Sequence, residues 1–237
     1  MPHSVAGVDG CQSGWIAAVY DTEQSKIDYC THADFITILQ ALSGVMCIGV
    51  DIPIGLSESF QPRRCDQLAR SLIRTRSSSV FPAPDRRLLR FAELEYGAAN
   101  GYSREYSGKG LTRQSFAIFE KIDQVDRVMT PRLQANVFEV HPEVCFWAAA
   151  DKHPLRHPKR KREGFEERRE ILNRVLPGVV IPTFDEAKGI VHGAKPDDVL
   201  DAIAAAWTAW RNARGLSERI PVPAELDARG LRMEIVY

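Results

Sequence analysis

No stretch of this chain stays apolar for long. The roughly 20 apolar residues in succession that a membrane-spanning helix needs occur nowhere in its 237 residues. Cysteine is sparse and unpatterned: five residues, at 11, 30, 47, 65 and 145, odd in number and without a Cys-x-x-Cys pair. That argues against a disulfide framework and against a zinc knuckle, and scattered thiols fit a reducing compartment. No basic segment followed by an apolar one is seen at the N-terminus, so no signal peptide is expected and a cytoplasmic location is. Net charge is missing too. The 31 basic residues balance 31 acidic ones, so no global field draws the chain to nucleic acid, and any such binding must use a local patch. There is no internal repeat. Gly108-Lys109-Gly110 is not a phosphate-binding loop, because the earlier glycine and the Ser or Thr after lysine are absent.

What is present is an ordinary globular composition, 44% apolar and 26% charged, in a chain long enough to bury a sizeable core. It reads as a single domain over residues 1–237. The stretch from Val5 to Tyr20 organises the rest. Residues 5–9 and 15–20 are apolar runs that read as antiparallel strands across a tight glycine-rich loop. Asp9 stands where the first run ends, and Gly10 is free to turn. Residues 27–31 read as a weaker third strand, and helical spacing over 33–42 stops at Ser43-Gly44. Residues 45–50 form an unbroken apolar run capped by Asp51, the pattern of a strand buried on both faces. A strand-helix-strand crossover makes parallel neighbours. Asp9 and Asp51 should therefore lie on one edge of the sheet, off the strand ends where ligands bind in open α/β sheets.

Residues 63–76 read as a basic helix, 77–84 as a loop, 85–99 as helix, 100–110 as a mobile glycine-rich and polar loop, and 112–129 as a long amphipathic helix. Segment 77–135 interrupts the α/β pattern and reads as a helical insertion that borders the acidic site. Residues 136–141 read as a strand with Glu139 and His141 on the face opposite Phe138 and Val140. Pro142-Glu143 opens a short helix. Residues 156–162 are the densest charge run, a solvated loop or a contact for nucleic acid. After helix 163–176, residues 196–210 are nearly apolar all round beyond an acidic first turn, which predicts a buried helix whose alanines let it lie close on the sheet. Asp198 and Asp201 share a face of it. Capping accounts for one Asp but not for Asp201, which lies inside the helix.

Five acids, Asp9, Asp51, Glu139, Asp198 and Asp201, could thus meet at one end of a central sheet. This pattern resembles the RNase H-like superfold, and within it the Holliday-junction resolvases. Those carry an Asp on the first strand, a carboxylate ending the fourth and a D-x-x-D-A motif on the last helix. Here the matching positions are Asp9, Asp51 and Asp198-Val199-Leu200-Asp201-Ala202. Resolvases usually place a longer Glu where this chain has Asp51. Over nearly its whole length the chain also resembles the domain-of-unknown-function 429 family, described as predicted RNase H-like nucleases. That resemblance rests on Gly7-Val8-Asp9-Gly10-Cys11, Asp51-Ile52-Pro53-Ile54-Gly55-Leu56, Arg64-Cys65-Asp66, Ser79-Val80-Phe81-Pro82, Glu139-Val140-His141-Pro142-Glu143 and the final acidic helix.

The resemblance implies an α/β fold with an RNase H-like mixed five-stranded sheet flanked by helices, and a metal-dependent nuclease. Asp9, Asp51, Asp198 and Asp201 would hold Mg²⁺ or Mn²⁺. Glu139 is a further ligand candidate, and Glu143 and His141 are candidates for proton transfer. Arg63, Arg64, Lys159 and Arg160 would contact the phosphate backbone of a nucleic acid. Two carboxylates about 4 Å apart repel by roughly 4 kcal/mol at an effective dielectric near 20, so such a cluster calls for cations or protons to neutralise it. Oxygen-only ligands suit Mg²⁺ or Mn²⁺ rather than zinc. Two other readings stand beside it. Actin-like sugar kinases share the fold and the strand-Asp-glycine start, but they need two copies of it and a second phosphate loop. A non-catalytic nucleic-acid or protein-binding module could keep the same fold without chemistry.

Overall fold

The computed structural model describes residues 3–237. Strands β1 (Ser4–Cys11), β2 (Gly14–Asp21) and β3 (Lys26–His32) form a meander, and α1 (Phe35–Ala41) carries the chain to β4 (Ile48–Val50). Helices α2 (Arg64–Ile73), α3 (Tyr96–Ser107), α4 (Arg113–Phe116) and α5 (Phe119–Val128) precede β5 (Val137–Glu139). Then come α6 (Pro142–Ala149), α7 (Arg162–Val175), α8 (Phe184–Ala187), α9 (Pro196–Ala213) and a hairpin of β6 (Arg219–Leu226) and β7 (Arg232–Val236). The first five strands form one mixed sheet in the order β3-β2-β1-β4-β5. The meander pairs antiparallel, while β1, β4 and β5 run parallel.

Strand periodicity sorts the side chains between two layers. In β1, Ala6 and Val8 face a core built with Phe35 and Ile38 of α1 and Ile122 and Val125 of α5. Val5 and Cys11 face the opposite core, built with α6, α7 and α9. Asp9 has the parity of Val5 and so points toward α9. β4 repeats the scheme: Ile48 and Val50 join the first layer, and Gly49 and Asp51 take the other parity. The pairing Gly7↔Gly49 and Val8↔Val50, followed by a 2.8 Å bond from the Asp51 amide to the Val8 carbonyl, sets Asp51 beside Asp9. The two acids thus stand side by side on adjacent parallel strands.

The α9 layer is close because side chains are missing. A Cβ on Gly7 would lie 2.1 Å from both the Ala202 carbonyl oxygen and the Ala206 nitrogen. Helix backbone therefore rests directly on strand backbone, and the start of α9 reaches the ends of β1 and β4. On the other layer, Gln124 Oε1 accepts from Trp15 Nε1 at 2.8 Å and from the Phe35 amide at 3.1 Å, so one carbonyl joins β2, α1 and α5.

Several boundaries differ from the sequence reading. β1 runs on to Cys11, and Gly10 pairs with Trp15 inside the ladder; the turn is Gln12-Ser13. Gly10 serves a close approach rather than a turn, since a Cβ there would meet Lys121 Cδ at 2.6 Å. β4 begins only at Ile48. The expected mobile loop 100–110 is mostly helix: α3 extends to Ser107, Gly108 caps it with φ 71°, and the Ser103 and Ser107 hydroxyls both donate to the Lys109 carbonyl. Residues 85–99 split into a 3₁₀ turn, Arg86–Phe91, and the start of α3, and the expected 112–129 helix breaks between α4 and α5. The 74–79 stretch is 3₁₀ rather than the end of α2 and a loop. Residues 77–135 carry α3, α4, α5 and the 3₁₀ turn Arg86–Phe91, and Lys121 of α5 reaches the Gly14 carbonyl. The β6–β7 hairpin was not expected at all. No helix among the described residues is long and apolar enough to cross a membrane.

Gly7→Ala tests the backbone contact. Overpacking of this kind costs roughly 1–3 kcal/mol or more, while Gly49→Ala, whose Cβ would meet the Ala205 oxygen at 2.9 Å, should cost less. Urea unfolding of both variants measures the order.

Candidate metal centre

Strand parity and the α9 contact bring three carboxylates together. Asp9 on β1, Asp51 after β4 and Asp201 on α9 each offer one oxygen, and these oxygens all lie within 4.8 Å of one another. Asp9 and Asp201 are buried; Asp51 is partly exposed. Asp9 Oδ1 accepts the Gly10 amide at 2.6 Å. Asp201 Oδ2 takes a 2.5 Å bond from Lys159 Nζ, while Asp201 Oδ1 is buried without a hydrogen-bond partner. Burial, followed by the charges of Asp51 and Asp201, holds the Asp9 carboxyl well above the usual carboxylate range. Burial likewise pushes Asp51 up to about 7, with Lys159 opposing and Asp201 adding to the shift. Asp201 is raised by burial against the pull of Lys159. Burial works against the charge of Lys159 as well, but Asp201, Asp9 and Asp51 outweigh it and raise its pKa.

Asp198 belongs to the rim of this group and not to the triad. Its carboxylate accepts the Lys195 amide at 2.9 Å and caps α9, the role that sequence allowed for one of the two aspartates. Burial still raises it to about 6. Glu143, at the start of α6, is gripped by Arg168 Nη2 at 2.5 Å and more loosely by Arg76 Nη2 at 3.5 Å. Burial acts to raise Glu143, but the two guanidinium groups outweigh it and hold the carboxyl below its ordinary value. Burial holds His141 below the usual imidazole range. Its Nε2 faces the Ser79 carbonyl at 3.4 Å and its buried Nδ1 has no partner, so the neutral ring carries its proton on Nε2 and leaves a free lone pair on Nδ1.

Glu139 and Arg63 are corrections. Arg63 is buried, with 3% exposure, and cannot reach an external phosphate. Its guanidinium bonds Glu139 through Nη1 and Nη2 at 2.7 Å each, Asp66 through Nη2 at 2.6 Å, and the Ile54 and Gly55 carbonyls. Glu139 Oε2 also accepts the Ile54 amide at 2.7 Å. This hub ties the segment after Asp51 to β5 and α2, so Arg63 and Glu139 act on the triad by fixing where Asp51 stands. Lys159 is turned inward to Asp201. Of the four basic candidates, Arg64 and Arg160 remain fully on the surface.

Sequence reasoning missed Arg168, Arg76 and Lys121. Arg168 had a signal: it falls on the inward face of α7 with Phe165 and Leu172, and all three are buried. A charge on an apolar helical stripe needs a buried partner, here Glu143. Lys121, whose Nζ donates to the Gly14 carbonyl at 2.6 Å and stands 4.9 Å over the Trp15 ring, had none.

Two measurements follow. Arg63→Met leaves Glu139 and Asp66 buried and unpaired, which should cost roughly 3–5 kcal/mol in urea unfolding, against a fraction of that for the exposed Arg64→Met. For pH, Asp51 and Asp198 sit at about 7 and about 6 when folded, above roughly 3.9 for an unfolded Asp. The folded state then binds more protons in that window. Metal-free stability should be fullest below about pH 4 on this account and be lost as pH rises through about 7, seen as a falling melting midpoint in chelator from pH 5 to 8.

The family model described as "Protein of unknown function (DUF429)" matches residues 7–226. No curated protein and no solved structure gives a significant match. The match runs from Gly7 within β1 to the end of β6 and includes every residue of the acidic triad, and on that span the chain belongs to the DUF429 family.

Proposed function

We propose that the protein is a metal-dependent hydrolase of nucleic-acid phosphodiester bonds on an RNase H-like architecture. The observation that carries the reading is the meeting of Asp9, Asp51 and Asp201 from three distant segments, with ligand oxygens within 4.8 Å and Asp201 Oδ1 buried without a partner. An all-oxygen donor set with an unsatisfied buried lone pair fits a hard divalent cation, Mg²⁺ or Mn²⁺. The mixed five-stranded sheet supports the architecture, as does the element order β-β-β-α-β-α-β-α up to α6 when α2 to α5 are counted as one helical segment between β4 and β5.

Asp9, Asp51 and Asp201 would hold the cation, and Asp198 at the rim adds negative field. When bound, such an ion polarises a phosphoryl oxygen and makes water a nucleophile near neutral pH. The chain's own residues supply the rest. The free Nδ1 lone pair of His141 can accept a proton, and Glu143, fixed by Arg168, keeps a negative charge beside it. Arg64 and Arg160 are free on the surface for phosphate oxygens, which give affinity without base readout. The absence of a second phosphate loop in the sequence favours hydrolysis over the kinase reading.

Asp9→Asn is the test. It removes one charge from a crowded group at constant size. The variant should melt higher than the parent in chelator, respond less to Mn²⁺ and cleave no labelled single-stranded, duplex or branched nucleic acid. The parent should gain about 2.7 kcal/mol at a hundredfold excess of ion over its dissociation constant. A parent that does not respond to Mn²⁺ would sink the metal centre; one that responds but cleaves nothing would leave a binding or phosphotransfer role.

A further inference from the structure

The lysine inside the acidic group has a structural setting of its own. Lys159 lies in the stretch before α7, and the backbone on both sides of it is pinned. The amides of Arg156 and His157 donate to the two carboxylate oxygens of Glu167, at 2.8 and 2.9 Å. Arg168 Nη1 donates to the His157 carbonyl at 3.2 Å. Beyond the lysine, the Lys161 amide returns to the Pro158 carbonyl at 3.1 Å. Gly164 at the start of α7 admits that carbonyl so closely that a Cβ would lie 2.0 Å from it. A basic run that composition reads as a solvated loop is therefore anchored so that one of its side chains enters the carboxylate group. The side chain is 32% exposed against 1% for its partner Asp201. Its stem thus has a way out to solvent, although its ammonium is engaged.

The ammonium and a divalent cation compete for the same three carboxylates. Nζ is 2.5 Å from Asp201 Oδ2, and Asp9 and Asp51 act on the same charge. A doubly charged ion held by these three residues would stand a few ångströms from a fixed ammonium, with twice the repulsion of two unit charges. Resting on the metal-centre reading above, we infer that Lys159 is a resident counter-ion of the carboxylate group, displaced by the incoming divalent cation through rotation of its side chain while the backbone stays in place. Its four rotatable stem bonds and single compact charge suit that exchange; the rigid fork of an arginine would not. The chain thereby keeps a folded metal-free state in spite of its buried acids, at the expense of metal affinity.

Mn²⁺ separates this role from a fixed structural one. Melting midpoints and calorimetric Mn²⁺ titrations are compared for the full-length parent, Lys159→Met, and Lys159→Gln, which shortens the stem but keeps a polar end. In chelator both variants should melt below the parent. In saturating Mn²⁺ the deficit should vanish, because the parent's lysine is then in solvent, and linkage requires the variants to bind Mn²⁺ more tightly, by roughly tenfold for each 1.4 kcal/mol of lost metal-free stability. A deficit that is the same with and without Mn²⁺ overturns the inference, as does weaker Mn²⁺ binding in both variants, which would mean that Lys159 holds Asp201 in place for the ion. A parent that does not respond to Mn²⁺ overturns the metal centre itself, and this inference with it. A parent that responds while its variants keep their deficit overturns only the role of Lys159.

Discussion

At Gly7 the backbone of α9 touches the backbone of β1, with the Ala202 oxygen and Ala206 nitrogen where a side chain would otherwise begin. The separation of helix and sheet is normally set by the side chains between them. Here it is set by their absence, on the strand at Gly7 and on the helix along the alanine run. The consequence is felt one strand period away. Asp9 shares the parity of Gly7, and Asp201 precedes Ala202, so the same approach that seats the helix pushes one carboxylate toward another. A larger residue at the contact would relieve the repulsion by moving the helix out and would dissolve the acidic group together with the packing.

That approach creates a burden of like charge, and the rest of the molecule is arranged around it. The carboxylate raised by burial and by its neighbours is the expected response of a group that water no longer stabilises. Around the triad stand Lys159 on Asp201, and Arg168 and Arg76 on Glu143. Below it Arg63 joins Glu139, Asp66 and the Ile54–Gly55 carbonyls. Buried ion pairs add little net stability compared with apolar packing, though breaking one is costly. Their value here lies in position. Arg63 fixes the segment that carries Asp51, and Arg168 fixes both Glu143 and the His157 carbonyl that anchors the Lys159 loop.

How far this was readable from sequence depends on whether the cause is local. Two apolar runs with a helix between them imply parallel neighbours, so the pairing of Asp9 with Asp51 follows from period and topology alone. The alanine run of α9 announces a close contact. Arg63 could not be read the same way, because Glu139 lies 76 residues further on and a basic helix start looks like a surface feature until its partner is in place. Helix α3 carries Gly97, Asn100, Gly101 and two serines, a poor helical composition. It is held by tertiary bonds, Tyr96 Oη to the Leu111 carbonyl and the Leu111 amide to Asn100 Oδ1. Pro221 and Pro223 argue against a strand, yet β6 tolerates them because, among the described residues, β7 is its one sheet neighbour.

Two acidic groups in the same interior give the sharpest contrast. Around Arg63, every carboxylate oxygen of Glu139 and Asp66 accepts at least one hydrogen bond, from the guanidinium or from the Ile54 and Ala83 amides. That group is closed in the sense that none of its carboxylate oxygens is left without a donor. Around Asp201 a single ammonium faces three carboxylates, and one buried oxygen is left with nothing. Glu139 and Asp66 are buried as Asp9 and Asp201 are, so burial alone does not separate the two groups. The two groups differ in compensation: a buried lone pair without a partner costs free energy, which on the proposed reading a bound cation would offset. On the reading proposed above the hub is architecture and the triad a cation site, and the sequence could not separate them because Glu139 and Asp9 both begin as an acid on a strand.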